Sequence, residues 1–162
     1  HEFEVSINSN LLRETDPVVE IVDMLTNLQG AEEHRSTLFL LLSEAYNNAL
    51  DHGILDLDSD IKETEDGFLE YYMLRDERLS SLTEGNIDIK VTYSPDNTCI
   101  NFSVTDSGDG FKHDIIEHSP MEGEQEHGRG TLLLKELANK VEYNDKGNQI
   151  RFSYQLNQNS IN

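Results

Sequence analysis

The chain is poor in cysteine, proline and basic residues and has no tryptophan, and each shortage narrows what it can be. Its single cysteine, Cys99, excludes an internal disulfide and a cysteine-built metal site. Cys99 lies in an alternating apolar run and is expected to be buried packing. No apolar run approaches 18 residues, so no transmembrane helix is expected. Lysine and arginine total 12 against 32 aspartates and glutamates, a net charge of −20 over 162 residues. A surface that negative repels phosphate backbones and anionic lipids, which argues against a nucleic-acid or membrane-surface partner. A nucleotide bound here would need local cations or backbone N–H groups. The chain begins at His1 with no signal peptide, and reads as an excised piece of a longer cytoplasmic protein. Two common nucleotide motifs are also missing: there is no GxxxxGK(S/T) loop, and no GxGxxG between a strand and a helix.

What is present is one domain's worth of patterned segments. Apolar residues make up 36%, spread throughout, which favours a folded domain over disorder. Phe3–Ile7 alternates as a strand with one buried face. Asp16-Pro17 opens a helix carrying Val18, Ile21, Val22, Leu25 and Leu28, which Gly30 ends. A second helix is expected from about Glu32 to Asp51, with Leu38, Leu41, Leu42, Ala45 and Ala49 inward and Gly53 as its C-terminal cap. Residues 54–85 begin with an acidic loop and continue as a helix, Asp66–Thr83. Its stripe of Phe68, Tyr71, Tyr72, Leu79 and Leu82 reads as core or a packing seam, and as a partner surface if exposed. Asn86–Tyr93 and Thr98–Thr105 form a hairpin about Pro95-Asp96-Asn97. Gln149–Leu156, preceded by Val141 and Tyr143, closes the chain with another. An amphipathic helix, Thr131–Lys140, stands before it, and the aperiodic polar stretch Asp114–Glu126 reads as a mobile loop.

Three short segments carry chemistry. In Ser43–Gly53, SEAYNNALDHG, Glu44 and Asn48 are four apart and share a helix face. The acid can accept a proton and the amide oxygen can ligate a hard cation; the plain alternative is a solvated polar stripe. Asp106-Ser107-Gly108-Asp109-Gly110 leaves the end of a strand. The Asp106 carboxylate can accept a hydrogen bond from the exocyclic amine of a base, with Gly108 and Gly110 allowing close approach, or the segment is a simple turn. Gly128-Arg129-Gly130-Thr131 opens a helix, an arrangement that offers N–H groups and the positive dipole end to a phosphate, or that only makes a turn before the helix.

Taken in order, E-x-x-x-N on a helix, D-x-G-x-G after a strand, a polar loop and G-x-G opening a helix resemble the GHKL (Bergerat-fold) ATP-binding family. Ser43, Glu44, Ala45, Asn48, Ala49, His52 and Gly53 further resemble the anti-sigma-factor serine/threonine kinases of the RsbW/SpoIIAB type. The resemblance covers most of the chain. It implies an α/β two-layer sandwich, a mixed, mostly antiparallel sheet covered by helices on one face, as a single domain over residues 1–162. It also implies ATP and Mg²⁺ as cofactors. In that scheme Glu44 is the general base and Asn48 the Mg²⁺ ligand. Asp106 binds the adenine amine, and Gly108 and Gly110 shape its pocket. Gly128, Arg129, Gly130 and Thr131 contact phosphates, residues 111–127 form an ATP lid, and His52 matches the family's helix-end histidine.

The 54–85 insert departs from the small kinases. GFLEYYMLRDERL resembles the insert of kinase domains fused to a response regulator and a PP2C phosphatase, so the small kinases' dimer and sigma-factor surfaces need not carry over. The resemblance implies a protein substrate, a small STAS-type anti-sigma-factor antagonist, with a sigma factor and a homodimeric partner as further candidates. The alternative from another class is a nucleotide-regulated binding module that sequesters such a partner without phosphotransfer. A histidine-kinase catalytic domain shares the boxes, but no phospho-acceptor helix pair is seen. A degenerate, non-binding domain is the blandest alternative.

Overall fold

Five segments in which every second residue is apolar become strands: β1 (Glu2–Asn8), β2 (Asn86–Ser94), β3 (Cys99–Asp106), β4 (Lys140–Tyr143) and β5 (Gln149–Gln155). The structure, a computed structural model, describes residues 1–108 and 126–157, of which 63 and 126–131 by backbone alone. The strands form one sheet in the order β1-β2-β3-β5-β4, and every pairing among the described residues is antiparallel.

The period of two sorts the side chains by face. Ile87, Ile89, Val91, Ile100, Phe102, Val104, Ile150, Phe152 and Tyr154 are all buried. Phe102 pairs with Phe152 across β3 and β5, and their rings stack with centroids 4.7 Å apart. The opposite face is polar: Lys90, Ser103, Arg151 and Glu142 follow one another in register across four strands. Cys99 is only partly buried, contrary to expectation, because its neighbour Ile100 takes the inward position and alternation turns Cys99 away.

Helices cover the apolar face. Helix α2 (Val18–Thr26) presents Val18, Ile21, Val22 and Leu25, and α3 (Arg35–Asn48) presents Leu38, Leu41, Leu42 and Ala45, all buried. Helix α5 (Glu126–Leu137) adds Leu134. The result is the α/β sandwich expected. Asp16 caps α2, its Oδ1 accepting the Val18 N–H at 2.9 Å, and Gly30 follows it at φ +85°. Helix α1 (Ser9–Glu14), capped by Asn8, was not expected: six residues are too short to show a helical period.

Three boundaries differ from expectation. The Glu32–Asp51 helix divides into a 3₁₀ turn at Glu32–His34, α3, and a π-helical turn at Ala49–Ile54. Gly53 is therefore inside a helical turn and does not cap it; among the described residues the positive-φ glycines are Gly30, Gly85 and Gly147. Helix α5 starts five residues before Thr131, so Gly128 and Gly130 lie in its first turns and its leading N–H groups belong to Glu126–Arg129. Extending a helix costs little once one end is packed, here at Leu134 and Ala138, and it runs back through the glycines.

The 54–85 insert is a 3₁₀ turn, Ser59–Glu63, followed by α4 (Gly67–Ser80). Only Tyr71 of its aromatic stripe is buried; Phe68 and Tyr72 are exposed, with Leu69 and Met73 beside them. Helix α4 packs on the Ser59–Glu63 turn, and polar side chains on it reach the π-helical turn. There Asp51 accepts from Arg75 Nε at 2.7 Å and from the Tyr71 hydroxyl at 2.8 Å. Both ionic side chains are mostly buried, 21% exposed for Arg75 and 13% for Asp51. Arg75→Met strands the Asp51 carboxylate, and the expected cost is about 3 kcal/mol, read as a lower urea midpoint with an unchanged slope.

Candidate functional site

Asp106 ends β3, and it is the one charged residue buried in the core among the described residues, 5% exposed. The strand end is locked in place. Asp106 N–H donates to the Asn148 carbonyl and Asn148 Nδ2 donates to the Asp106 carbonyl, both at 2.9 Å. One residue on, Ser107 N–H donates to the Asn86 carbonyl at 3.0 Å, and Asn86 N–H donates to Ser107 Oγ at 2.9 Å. The side chain then turns back: Oδ1 accepts the Gly108 N–H at 2.8 Å. Burial pushes this carboxyl up to about 6, partly offset by the Gly108 N–H and the Lys146 charge. Among the described residues Oδ2 receives no hydrogen bond.

Two glycines make room for it. A Cβ on Gly53 would lie 2.4 to 2.6 Å from the Asp106 carboxyl atoms, and a Cβ on Gly108 would lie 2.0 Å from the Gly53 carbonyl oxygen. The close approach that Gly108 was expected to give a ligand is thus also an approach of two backbone segments. The π-helical turn brings Gly53 to the end of β3, so the SEAYNNALDHG and DSG segments meet at a carboxylate that only glycine neighbours can accommodate.

Along α3 from this junction stand the other two residues. Asn48 is half-buried and makes no side-chain hydrogen bond among the described residues. Glu44, one turn earlier, is half-buried too; burial raises its carboxyl above the ordinary range, and the Lys62 ammonium pulls it part of the way back. A carboxyl so raised takes up a proton closer to neutral pH than a solvated one. His52 belongs to the π turn, and its Nδ1 donates to the Leu57 carbonyl at 2.7 Å. That contact fastens the insert to the helix.

The structure therefore brings Asp106 and Gly108 to Gly53 of the π turn, and places Asn48 and Glu44 about one and two turns earlier on the helix that leads into it. Of Gly128, Arg129, Gly130 and Thr131 it places the helical backbone. Gly110 and residues 111–125 of the expected lid lie outside the described residues, and residues 126–127 are the first of α5. Gly53 as a packing partner and Lys62 as a neighbour of Glu44 had no local signal in the sequence, because each depends on which distant segment packs there. Among the described residues no three His, Cys, Asp or Glu side chains converge on a metal-sized site, and no helix is long and apolar enough to cross a membrane.

The buried acceptor at Oδ2 and its glycine surroundings fit the exocyclic amine of a purine. The family model described as histidine kinase-like ATPase domain matches residues 12–154, spanning every element of the site. No curated protein sequence gives a significant match.

Proposed function

This chain belongs to the histidine kinase-like ATPase family, and on that premise we propose that it is an ATP-dependent serine/threonine protein kinase of the RsbW/SpoIIAB type. Its substrate would be a small STAS-type anti-sigma-factor antagonist, and a cytoplasmic setting fits the reading. The observation that carries it is the placement of two ends on one scaffold. Asp106, between Gly53 and Gly108, suits the adenine, while Asn48 and Glu44 recede from that junction along α3 toward where the phosphates would lie.

Each residue then has a task. Asp106 Oδ2 accepts the adenine amine. Asn48 would hold Mg²⁺ together with the phosphates, as Mg²⁺ sites with few protein ligands do, and the ion supplies charge neutralisation when bound. Glu44 accepts the proton of the acceptor hydroxyl as its oxygen bonds to the γ-phosphorus. The bond from that phosphorus to the bridging oxygen breaks, and its electron pair leaves with ADP. Phosphoryl transfer asks little covalent chemistry of a protein, so positioning and electrostatics supply most of the rate.

Labelled ATP incubated with the protein and a STAS-domain partner tests this. Wild type is expected to label a serine or threonine of the partner. Glu44→Gln should retain ATP within about two-fold while transfer falls about 100-fold or more, the range for losing a general base. Stoichiometric binding without transfer by wild type would favour a nucleotide-regulated binding module. That reading is favoured by the exposed apolar row Phe68, Leu69, Tyr72 and Met73 on α4, a surface suited to a protein partner.

A further inference from the structure

We propose that the outward face of α4 docks a basic amphipathic helix of a protein partner, whether or not phosphoryl transfer follows. Phe68 and Tyr72, and Leu69 and Met73, are four residues apart, so the two pairs form one patch on the helix surface. Leu69 is 67% exposed, Met73 64% and Phe68 57%, more than any other large apolar side chain among the described residues. The Phe68 and Tyr72 rings meet edge to face with centroids 4.7 Å apart, so part of the patch is ordered before anything binds. The helix beneath is held from its other side. Tyr71 is buried, Arg75 bonds Asp51, and Arg78 Nη1 donates to the Leu55 and Asp56 carbonyls at 2.9 and 2.7 Å. Apolar groups turned to water on a helix already anchored by its opposite face do nothing for the fold, and mark a contact surface.

Charge selects what covers the patch. Exposed carboxylates stand at both ends of it: Glu65 and Asp66 just before Phe68, and Asp76 and Glu77 on the turn after Met73. None of the four forms a salt bridge among the described residues. Residues 54–85 carry ten acidic side chains and three basic ones. Two of the three, Arg75 and Arg78, are bonded on the anchored side of α4, and the third, Lys62, stands 4.1 Å from the centroid of buried Tyr71. The complement is a helix with apolar residues at i, i+3 and i+4 and with lysine or arginine a turn beyond them at each end. A second copy of this chain would bring like acidic ends together at a net charge of −20 each, and an anionic membrane meets the same repulsion. Four side chains also fall short of the roughly 800 Å² per partner of a stable interface, which suits a transient contact.

Fluorescence anisotropy with two labelled synthetic helical peptides tests this, with no nucleotide present, so the outcome does not depend on Asp106. Both peptides carry leucines at i, i+3, i+4 and i+7; one has lysines outside the leucines and the other glutamates. Wild type is expected to bind the lysine peptide about ten-fold or more tightly than the glutamate peptide. Leu69→Gln/Met73→Gln should weaken the lysine peptide about ten-fold or more, and Asp76→Asn/Glu77→Gln about five-fold with a shallower salt dependence. Glu32→Gln/Glu33→Gln removes the same charge at exposed positions beyond the far end of α3, and should leave affinity unchanged within about two-fold. All six substituted positions are exposed, and melting temperatures check that each variant is folded. Failure of wild type to bind the lysine peptide overturns the proposal, as does binding that survives Leu69→Gln/Met73→Gln. An equal loss in the Glu32/Glu33 variant overturns it too, since the attraction would then be to net charge alone. Wild-type dimerisation or adsorption to phosphatidylserine vesicles that Leu69→Gln/Met73→Gln abolishes would name a second copy or a membrane as the occupant instead.

Discussion

Asp106→Asn is expected to make the nucleotide-free protein more stable at neutral pH while lowering its affinity for ATP by about 100-fold or more. Stability and binding are expected to move in opposite directions, because on the proposed reading the carboxylate serves the ligand at the expense of the fold. Burial raises this acid from 3.8 to about 6, a penalty on the ionised form of up to about 3 kcal/mol. The sign is that of a raised acid. Between about pH 4 and 6 the folded state holds the proton that the unfolded state has released, so this group's contribution to stability falls as pH rises through that window and is level above it. Asparagine keeps an oxygen to accept the Gly108 N–H and has no charge to desolvate. Its own buried NH₂ offsets part of the benefit, leaving a net gain of about 1 kcal/mol at pH 7. Urea midpoints measured across pH 4 to 8 should show the variant gaining on wild type up to about pH 6 and then running parallel. The same NH₂ meets the adenine amine donor to donor, which is why ATP is lost. Equal midpoints at all pH values would mean that Asp106 is well solvated.

Gly108→Ala is expected to be strongly damaging. Its Cβ would fall 2.0 Å from the Gly53 carbonyl oxygen and 2.8 Å from Asp106 Oδ1. The first is backbone, held in the π turn, so no side-chain rotation relieves the overlap. The expected destabilisation exceeds about 3 kcal/mol, on the order of 10 °C in melting temperature for a chain of this size, with ATP binding lost as the junction opens. Gly30→Ala is the control. It has open space around it but φ +85°, and should cost only about 1 kcal/mol, with ATP affinity unchanged. Comparable losses at the two positions would show that conformational strain, rather than the Gly53–Gly108 approach, explains the effect.

These two residues also show how much was legible in the sequence. The sheet was, because alternation in Ile87–Val91, Ile100–Val104 and Ile150–Tyr154 is a local pattern that burial enforces. So were α2 and the body of α3, whose apolar faces recur at helical spacing. The order of the boxes pointed to the family, and Glu44, Asn48 and Asp106 could be named from it. Beyond the short helix α1, three features of the site's surroundings were not legible. The end of α3 could not be placed, since a glycine after a helix reads as a cap whether it turns left-handed or, as Gly53 does, makes room for a carboxylate 53 positions downstream. The start of α5 could not, since its leucines anchor it from the far end. The insert's aromatic stripe could not be divided into buried Tyr71 and exposed Phe68 and Tyr72, because that depends on Asp51 capturing Tyr71 and Arg75.

The nucleotide function proposed for this chain depends on Asp106 reading an adenine amine where the two glycine-bearing segments meet. Calorimetric titration of ATP against inosine triphosphate, which carries an oxygen where adenine carries the amine, tests that directly. A carboxylate acceptor aimed at that position should favour ATP by about 100-fold or more. Equal affinity for the two nucleotides would contradict it.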